Sequence, residues 1–142
     1  MSAPPEEVEA EGRRWLRFAT EDLDLAERDL EDARTVPRGA CLHAQQAAEK
    51  SLEAALILLG IDPPAIHNLE TLRRRLPDGW LAKSQPSDLS RLTALIIEAR
   101  YPGEWPEPTR DDAREAVALA SEILRAIRRD LEANGLLPAE IT

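Results

Sequence analysis

The chain has 142 residues, of which 32% are charged and 4% are aromatic, and its formal net charge is −9. This length is that of a single domain, and abundant Ala, Leu, Glu and Arg with few aromatic residues favour an all-helical protein over a sheet protein. Because phosphate attraction dominates non-specific nucleic-acid binding, the acidic balance argues against DNA binding, and RNA binding would need a local basic patch or a basic partner.

The negative charge is concentrated near the two ends of the chain. Residues 1–32 carry eleven acidic against four basic residues, and residues 111–142 carry seven against four. The first residues are acidic and include prolines, unlike a signal peptide, and no apolar run is long enough to span a membrane. Cys41 is the only cysteine, so it forms no internal disulfide, and we expect it to be buried. These features predict a cytoplasmic protein without a membrane segment.

We expect residues 1–5 to be disordered and a first helix to run from about Glu6 to Ala33. Its apolar face consists of residues at helical spacing, namely Trp15, Ala19, Ala26 and Leu30, and is widened by Phe18 and Leu23. Asp22 falls in the middle of that face, where a lone ionised carboxylate would cost several kcal/mol. It should therefore be neutral, or paired with an Arg or Lys of another helix, a tyrosine hydroxyl or a backbone N–H. A core ion pair is favoured over a catalytic role.

A second helix is predicted from Arg38 to Gly60, at the centre of the bundle. Small residues dominate the first half of its apolar stripe, which consists of Ala44, Ala48, Leu52, Ala55 and Leu59. The opposite face is amphipathic and carries Leu42, Gln46, Glu49, Lys50 and Ile57. Such a face is typical of a subunit interface. Helix statistics favour the simpler interpretation, in which Gln46 and Lys50 form a solvated pair four residues apart.

The rest of the chain predicts three further helices. A short one follows His67 or Asn68, either of which could cap it. A longer one opens at Pro86 or Ser87 and ends before a proline-rich loop that starts at Arg100. The last runs from Arg110 to about Ala133, because Thr109 and Asp112 form a capping-box pattern and Asn134-Gly135 ends the helix. Residues 6–135 should thus form one up-and-down antiparallel bundle of four long helices plus one short helix, with a C-terminal tail over residues 136–142.

The chemistry-bearing motifs of common enzymes are missing from the sequence. It has no CxxC or HExxH spacing, and two histidines cannot build a zinc site alone. It also lacks the glycine-rich phosphate loops and a nucleophile elbow. We therefore expect no metal and no cofactor, and His43 is expected to be a surface histidine.

Three stretches together resemble the HEPN domain family, the higher eukaryotes and prokaryotes nucleotide-binding domain. The first has Trp15 followed by Asp22 and Leu23, and the second is the QQAAEK element of residues 45–50 with His67-Asn68-Leu69 downstream. The third is Arg100-Tyr101-Pro102 leading into the Thr109 helix start. The resemblance covers residues 13–133 and implies a helical bundle that dimerises side by side, with a cleft between the two protomers.

In the ribonuclease branch of this family, an arginine followed four to six residues later by a histidine works at that cleft, without a metal. Arg100 matches the arginine, but no histidine follows it anywhere in the chain. The family's general acid and base is therefore missing. A residual ribonuclease would have to use Arg100 with His43 or His67, and the resemblance favours a non-catalytic protein.

Other members of the family bind nucleotides or act as the partner of a minimal nucleotidyltransferase, in some cases within a toxin–antitoxin pair. The resemblance therefore implies a homodimer whose nucleotide- or RNA-facing cleft is lined by Arg100, Tyr101, Gln46 and Lys50. In some pairs the partner nucleotidylates a tyrosine near the active motif, and Tyr101 is the only tyrosine here. Two alternatives remain, a structural role for Arg100 and Tyr101 and a purely structural oligomerisation module.

Overall fold

The computed structural model of the chain describes residues 4–100 and 106–138, with the backbone alone for residues 96–100. These ranges contain six helices: α1 Glu6–Glu31, α2 Pro37–Leu58, α3 Leu69–Arg74, α4 Leu81–Ser84, α5 Leu89–Arg100 and α6 Arg110–Ala133. The predicted all-α bundle with four long helices is confirmed. It contains two short helices instead of the single one that the sequence predicted.

Helix α2 lies at the centre of the bundle and contacts α1, α3, α5 and α6. Most of its residues are buried, and its small side chains allow the neighbouring helices to approach closely. Ala44, Ala48 and Cys41 are fully buried, as the apolar stripe and the expected core position of the cysteine predicted. His43 and Lys50, two polar residues of α2 that stay partly accessible, lie beside Asp22 of α1.

Helices α1 and α2 pack antiparallel along their whole length. Gly12 near the start of α1 lies against Leu58 at the end of α2, and Asp29 near the end of α1 lies beside Gly39 at the start of α2. Gly12 is buried, and a Cβ atom placed on it would stand 2.4 Å from the Leu58 Cγ atom. The absence of a side chain at this position therefore permits the close contact between the two helices.

Helix α6 begins at the capping box that the sequence predicted. The Thr109 hydroxyl accepts a hydrogen bond from the Asp112 backbone N–H at 3.1 Å. In return, the Asp112 carboxylate accepts from the Thr109 backbone N–H at 2.8 Å. The Arg110 guanidinium donates to the backbone carbonyls of Leu30 and Thr35 at 3.0 Å each. The start of α6 is therefore held against the turn between α1 and α2.

The short helices show what local patterns could and could not predict. Asn68 caps α3, since its side chain accepts from the backbone N–H groups of Glu70 and Thr71, which decides between the two predicted caps. Helix α4 was not predicted. The backbone N–H groups of Leu81 and Ala82 donate to the Asp130 carboxylate at 2.8 and 2.9 Å, so a residue of α6 caps this helix.

Several predicted boundaries differ slightly from the structure or lie partly outside the described residues. Helix α1 ends at Glu31 instead of Ala33, and α2 runs from Pro37 to Leu58 instead of from Arg38 to Gly60. Residues 1–3 of the predicted disordered N-terminus and residues 139–142 of the predicted tail lie outside the described part. Of the tail residues that are described, Leu136 is buried against the core.

Candidate functional site

Asp22, the carboxylate on the apolar face of α1, has a partner on α2. The Lys50 ammonium donates to Asp22 Oδ2 at 2.6 Å, and the Lys50 and Asp22 side chains are 25% and 14% exposed. Asp22 is thus paired with a lysine of another helix, one of the partners that the sequence left open. Lys50 directs its ammonium towards α1, so the solvated pair with Gln46 does not form.

His43 lies between two carboxylates of α1 at the same seam. Its Nδ1 atom is 3.8 Å from Asp22 Oδ1, and its Nε2 atom is 3.8 Å from Asp29 Oδ2. Both distances exceed that of a hydrogen bond, so neither carboxylate is hydrogen-bonded to the imidazole. The predicted surface histidine is therefore only partly exposed and belongs to a cluster of four ionisable side chains: Asp22, Asp29, His43 and Lys50.

Two large apolar side chains flank this cluster on the solvent side. Phe18 and Leu25 of α1 are 38% and 42% exposed, and their seven-residue spacing places them on one face of the helix. The Arg17 guanidinium lies 5.5 Å and the Lys50 ammonium 5.9 Å from the Phe18 ring centroid. We call this surface the α1–α2 face, and its residues are Phe18, Asp22, Leu25, His43, Gln46 and Lys50.

The glutamines of the QQAAEK element form a second polar group on α2. The Gln46 amide donates to Gln45 Oε1 at 2.8 Å and to Glu49 Oε2 at 3.4 Å. Glu49 is buried, and its Oε1 atom lies 2.5 Å from the Nδ1 atom of the exposed His67. Gln45 is buried as well, and its Nε2 atom has no hydrogen-bond partner among the described residues. These contacts join α2 to the segment that leads into α3.

Glu53 has a perturbed charge state one helical turn beyond Glu49. Burial, followed by the charge of Glu49, raises the pKa of Glu53 to about 7, and His67 and Lys50 oppose this shift. The Glu53 carboxyl is therefore partly protonated near neutral pH. Burial weakens the solvation of a carboxylate, and a neighbouring negative charge adds repulsion.

The predicted cleft residues are described only in part. Gln46 and Lys50 lie one turn apart on α2. His43 and Lys50 both lie beside the Asp22 carboxylate. The side chain of Arg100 and all of Tyr101 lie outside the described residues, so their grouping with Gln46 and Lys50 remains a prediction. Glu107, just beyond this segment, forms a 3.2 Å ion pair with Arg38 at the start of α2.

Sequence reasoning missed two members of these groups, although the spacing contained a signal for each. Asp29 lies seven residues after Asp22, so both carboxylates face the same neighbour of α1. Glu53 lies four residues after Glu49 on α2, a spacing that brings two like charges together. His67 was expected near the α3 cap, but its contact with Glu49 depends on how the segment after α2 folds back.

Within the described ranges, no cluster of three or more His, Cys, Asp or Glu side chains could hold a metal ion. No helix in that part of the chain is sufficiently long and apolar to cross a bilayer.

A comparison against protein families identifies the family of the chain. A family model described as HEPN domain matches residues 13–130, which is most of the chain. The chain therefore belongs to the HEPN domain family.

Two solved structures resemble most of the fold. The first is the crystal structure of TT1696 from Thermus thermophilus, at 30% identity and a TM-score of 0.71, covering 84% of this chain and 98% of that one. The second is ST0689, described as an archaeal HEPN homologue, at 23% identity and a TM-score of 0.60, covering 83% of this chain and 95% of that one. Among curated proteins the comparison finds no match.

Proposed function

We propose that this HEPN protein is a homodimeric, non-catalytic accessory subunit of a nucleotidyltransferase, of the kind that can form a toxin–antitoxin pair. The proposed partner rests on membership of the HEPN domain family over residues 13–130, and the observation that favours a non-catalytic role is the ion pair between Lys50 and Asp22 at 2.6 Å. It neutralises the lysine of the QQAAEK element within the chain. A phosphate would have to compete with a carboxylate already in place, so this face offers a contact surface more readily than a catalytic site.

The exposed apolar residues of the α1–α2 face support a role in association. Phe18 and Leu25 border a polar cluster that is already paired within the protomer, an arrangement that needs few new polar contacts on docking. Interfaces of this kind combine aromatic anchors with satisfied polar groups. We therefore infer that the α1–α2 face forms the dimer contact.

The nucleotide-facing part of the proposed cleft is then formed by Arg100, Gln46 and Tyr101. Because Asp22 neutralises Lys50, phosphate contact is assigned to Arg100, with Gln46 as a hydrogen-bonding neighbour and Tyr101 as a stacking surface or nucleotidyl acceptor. The Arg38–Glu107 ion pair supports this placement. It holds Glu107, six residues after Tyr101 in the sequence, beside the first turn of α2.

An affinity-capture experiment tests the accessory role. A minimal nucleotidyltransferase is tagged, immobilised and exposed to micromolar concentrations of the purified protein. We expect the HEPN chain to be retained on the immobilised nucleotidyltransferase. Retention should survive Lys50→Ala if the protein surface makes the contact and the charge of the Lys50 ammonium contributes little. Failure to retain the wild-type chain would contradict the proposal.

Intact-mass spectrometry of the protein purified from its native host tests the modification of Tyr101. An added mass of one or more nucleotidyl groups, mapped to Tyr101, would support the antitoxin-type partnership. An unmodified mass would assign Tyr101 to a structural role.

A ribonuclease is the second candidate, because His43 lies between two carboxylates that could orient an imidazole. The test is RNA cleavage by the wild type and by Arg100→Ala, His43→Ala and His67→Ala. A genuine activity disappears in Arg100→Ala and in one histidine variant. Cleavage that survives all three changes would come from a contaminant.

A further inference from the structure

A surface cleft lies at one end of the seam between α1 and α2, at the end far from the turn that joins these two helices. It has a volume of about 440 Å³ and is bounded by the start of α1, the end of α2 and residues 60–67. This volume lies within the range of small-molecule sites. Its position is determined by the antiparallel packing of α1 on α2 and by the return of the chain towards α3.

The walls of the cleft combine apolar surface with negative charge. Trp15 and Ile57 supply an aromatic ring and an aliphatic surface, and Glu11, Glu53 and Asp62 supply three carboxyl groups. Among the described residues that line the cleft, none is a lysine or an arginine, and His67 is the one basic side chain. Indole rings and carboxylates both attract organic cations.

The Glu53 carboxyl has no hydrogen bond or ion pair with another described residue. The charged groups that act on it are Glu49 and Lys50 on its own helix and His67 from the following segment. Glu11 of α1 and Asp62 carry the other carboxyl groups that line the cleft. Lys50 is already paired with Asp22, and His67 with Glu49. The cleft therefore holds a carboxyl that lacks a cation of its own.

We propose that this cleft binds a small organic cation with a primary ammonium group on a short alkyl chain. The ammonium contacts the Glu53 carboxylate, and the alkyl chain lies along Ile57 and the Trp15 ring. This ligand supplies the positive charge that the lining lacks and covers the apolar wall. The site does not depend on the accessory function or on the α1–α2 face.

The probe is 1,4-diaminobutane, and butane-1,4-diol is its neutral control of equal chain length. Binding is followed by calorimetry and by the indole N–H signal of Trp15 in NMR spectra, assigned with the Trp15→Leu variant. We expect a saturable shift of the Trp15 signal with the diamine and none with the diol. The signal of Trp80, which is buried elsewhere in the core, should stay in place.

Variants locate the site and its charge. We expect Glu53→Gln to weaken diamine binding about tenfold, from the loss of one close charge contact. Glu27→Gln removes the same charge from an exposed position of α1 and should leave the affinity unchanged. Wild-type affinity should rise between about pH 6 and pH 8 as Glu53 ionises, and this rise should persist in His67→Gln but shrink in Glu53→Gln.

Two results would overturn the proposal. One is the absence of a saturable Trp15 shift at millimolar diamine, and the other is equal affinity of the wild type and Glu53→Gln. If Glu53→Gln does not fold, as judged by circular dichroism, the comparison is made with Glu53→Ala, and unchanged affinity there is equally decisive against the site.

Discussion

Glu53 lies between the buried Glu49 and the open cleft, and this position sets its charge. Its pKa is raised from 4.5 to about 7, so the folded state binds a proton that the unfolded chain releases above about pH 4.5. Its contribution to stability is therefore fully present below that pH and is lost as the pH rises through about 7.

We predict that Glu53→Gln stabilises the protein near pH 8 and has little effect near pH 4. We expect the free energy of unfolding to rise by about 1 kcal/mol at pH 8, because solvent screens the charge of this partly exposed side chain. Urea unfolding at both pH values measures it, with Glu27→Gln as the matched control. An equal effect of Glu53→Gln at the two pH values would contradict this charge assignment.

Asp130 is the residue on which the start of α4 depends. Its two carboxylate oxygens accept from the backbone N–H groups of Leu81 and Ala82, and the side chain is buried. We predict that Asp130→Ala lowers the free energy of unfolding by about 2–3 kcal/mol, because it leaves two backbone donors, one of them buried, without an acceptor. Asp111→Ala, at an exposed site of the same helix, should cost much less in the same urea experiment. Equal losses would remove Asp130 from this role.

At the scale of the helices, the contact between α1 and α2 depends on the missing side chain of Gly12. A Cβ atom there would overlap Leu58, which is almost fully buried. We predict that Gly12→Ala destabilises the protein by about 1–2 kcal/mol, because overpacking outweighs the gain in helix propensity. Thermal unfolding measures the change.

The same substitution in a Leu58→Ala variant tests whether overlap with the Leu58 side chain causes the destabilisation by Gly12→Ala. With the larger side chain removed, Gly12→Ala should become neutral or stabilising by up to about 1 kcal/mol, the propensity difference alone. An equal loss in both backgrounds would show that the overlap with Leu58 is not the cause.

The helices also show why some elements were predictable from sequence and others were not. The bounds of α6 are those expected, because Thr109, Asp112 and Asn134-Gly135 are local signals that lie beside the helix itself. Helix α4 has only four residues and takes its cap from a carboxylate about 50 positions away. Such a contact exists only after α6 has packed, so no local pattern could reveal it.

In the candidate site, too, some features were predictable from local sequence and others depend on long-range packing. The need of Asp22 for a partner followed from its position on an apolar face. The choice of Lys50, 28 residues away, followed from the antiparallel register of α1 and α2. That register is set by long-range packing, and it also brings His43 to Asp29 and opens the cleft at Glu53.

For the whole molecule, the α1–α2 face is the predicted dimer contact. We expect the wild type to be a dimer in light scattering and Leu25→Glu to be a monomer, since a buried glutamate would lack a partner there. Leu81→Glu is the matched control, because Leu25 and Leu81 are 42% and 50% exposed but Leu81 lies on α4. A wild-type monomer, or a dimer that tolerates Leu25→Glu, would contradict this assignment of the face.

The accessory-subunit account is tested most directly by the mass of the assembly that this chain forms with a minimal nucleotidyltransferase. Size-exclusion chromatography with light scattering on an equimolar mixture gives that mass. The account predicts one species that contains two copies of this chain together with the nucleotidyltransferase. Two separate peaks at the masses of the isolated proteins, at micromolar concentration, would contradict it.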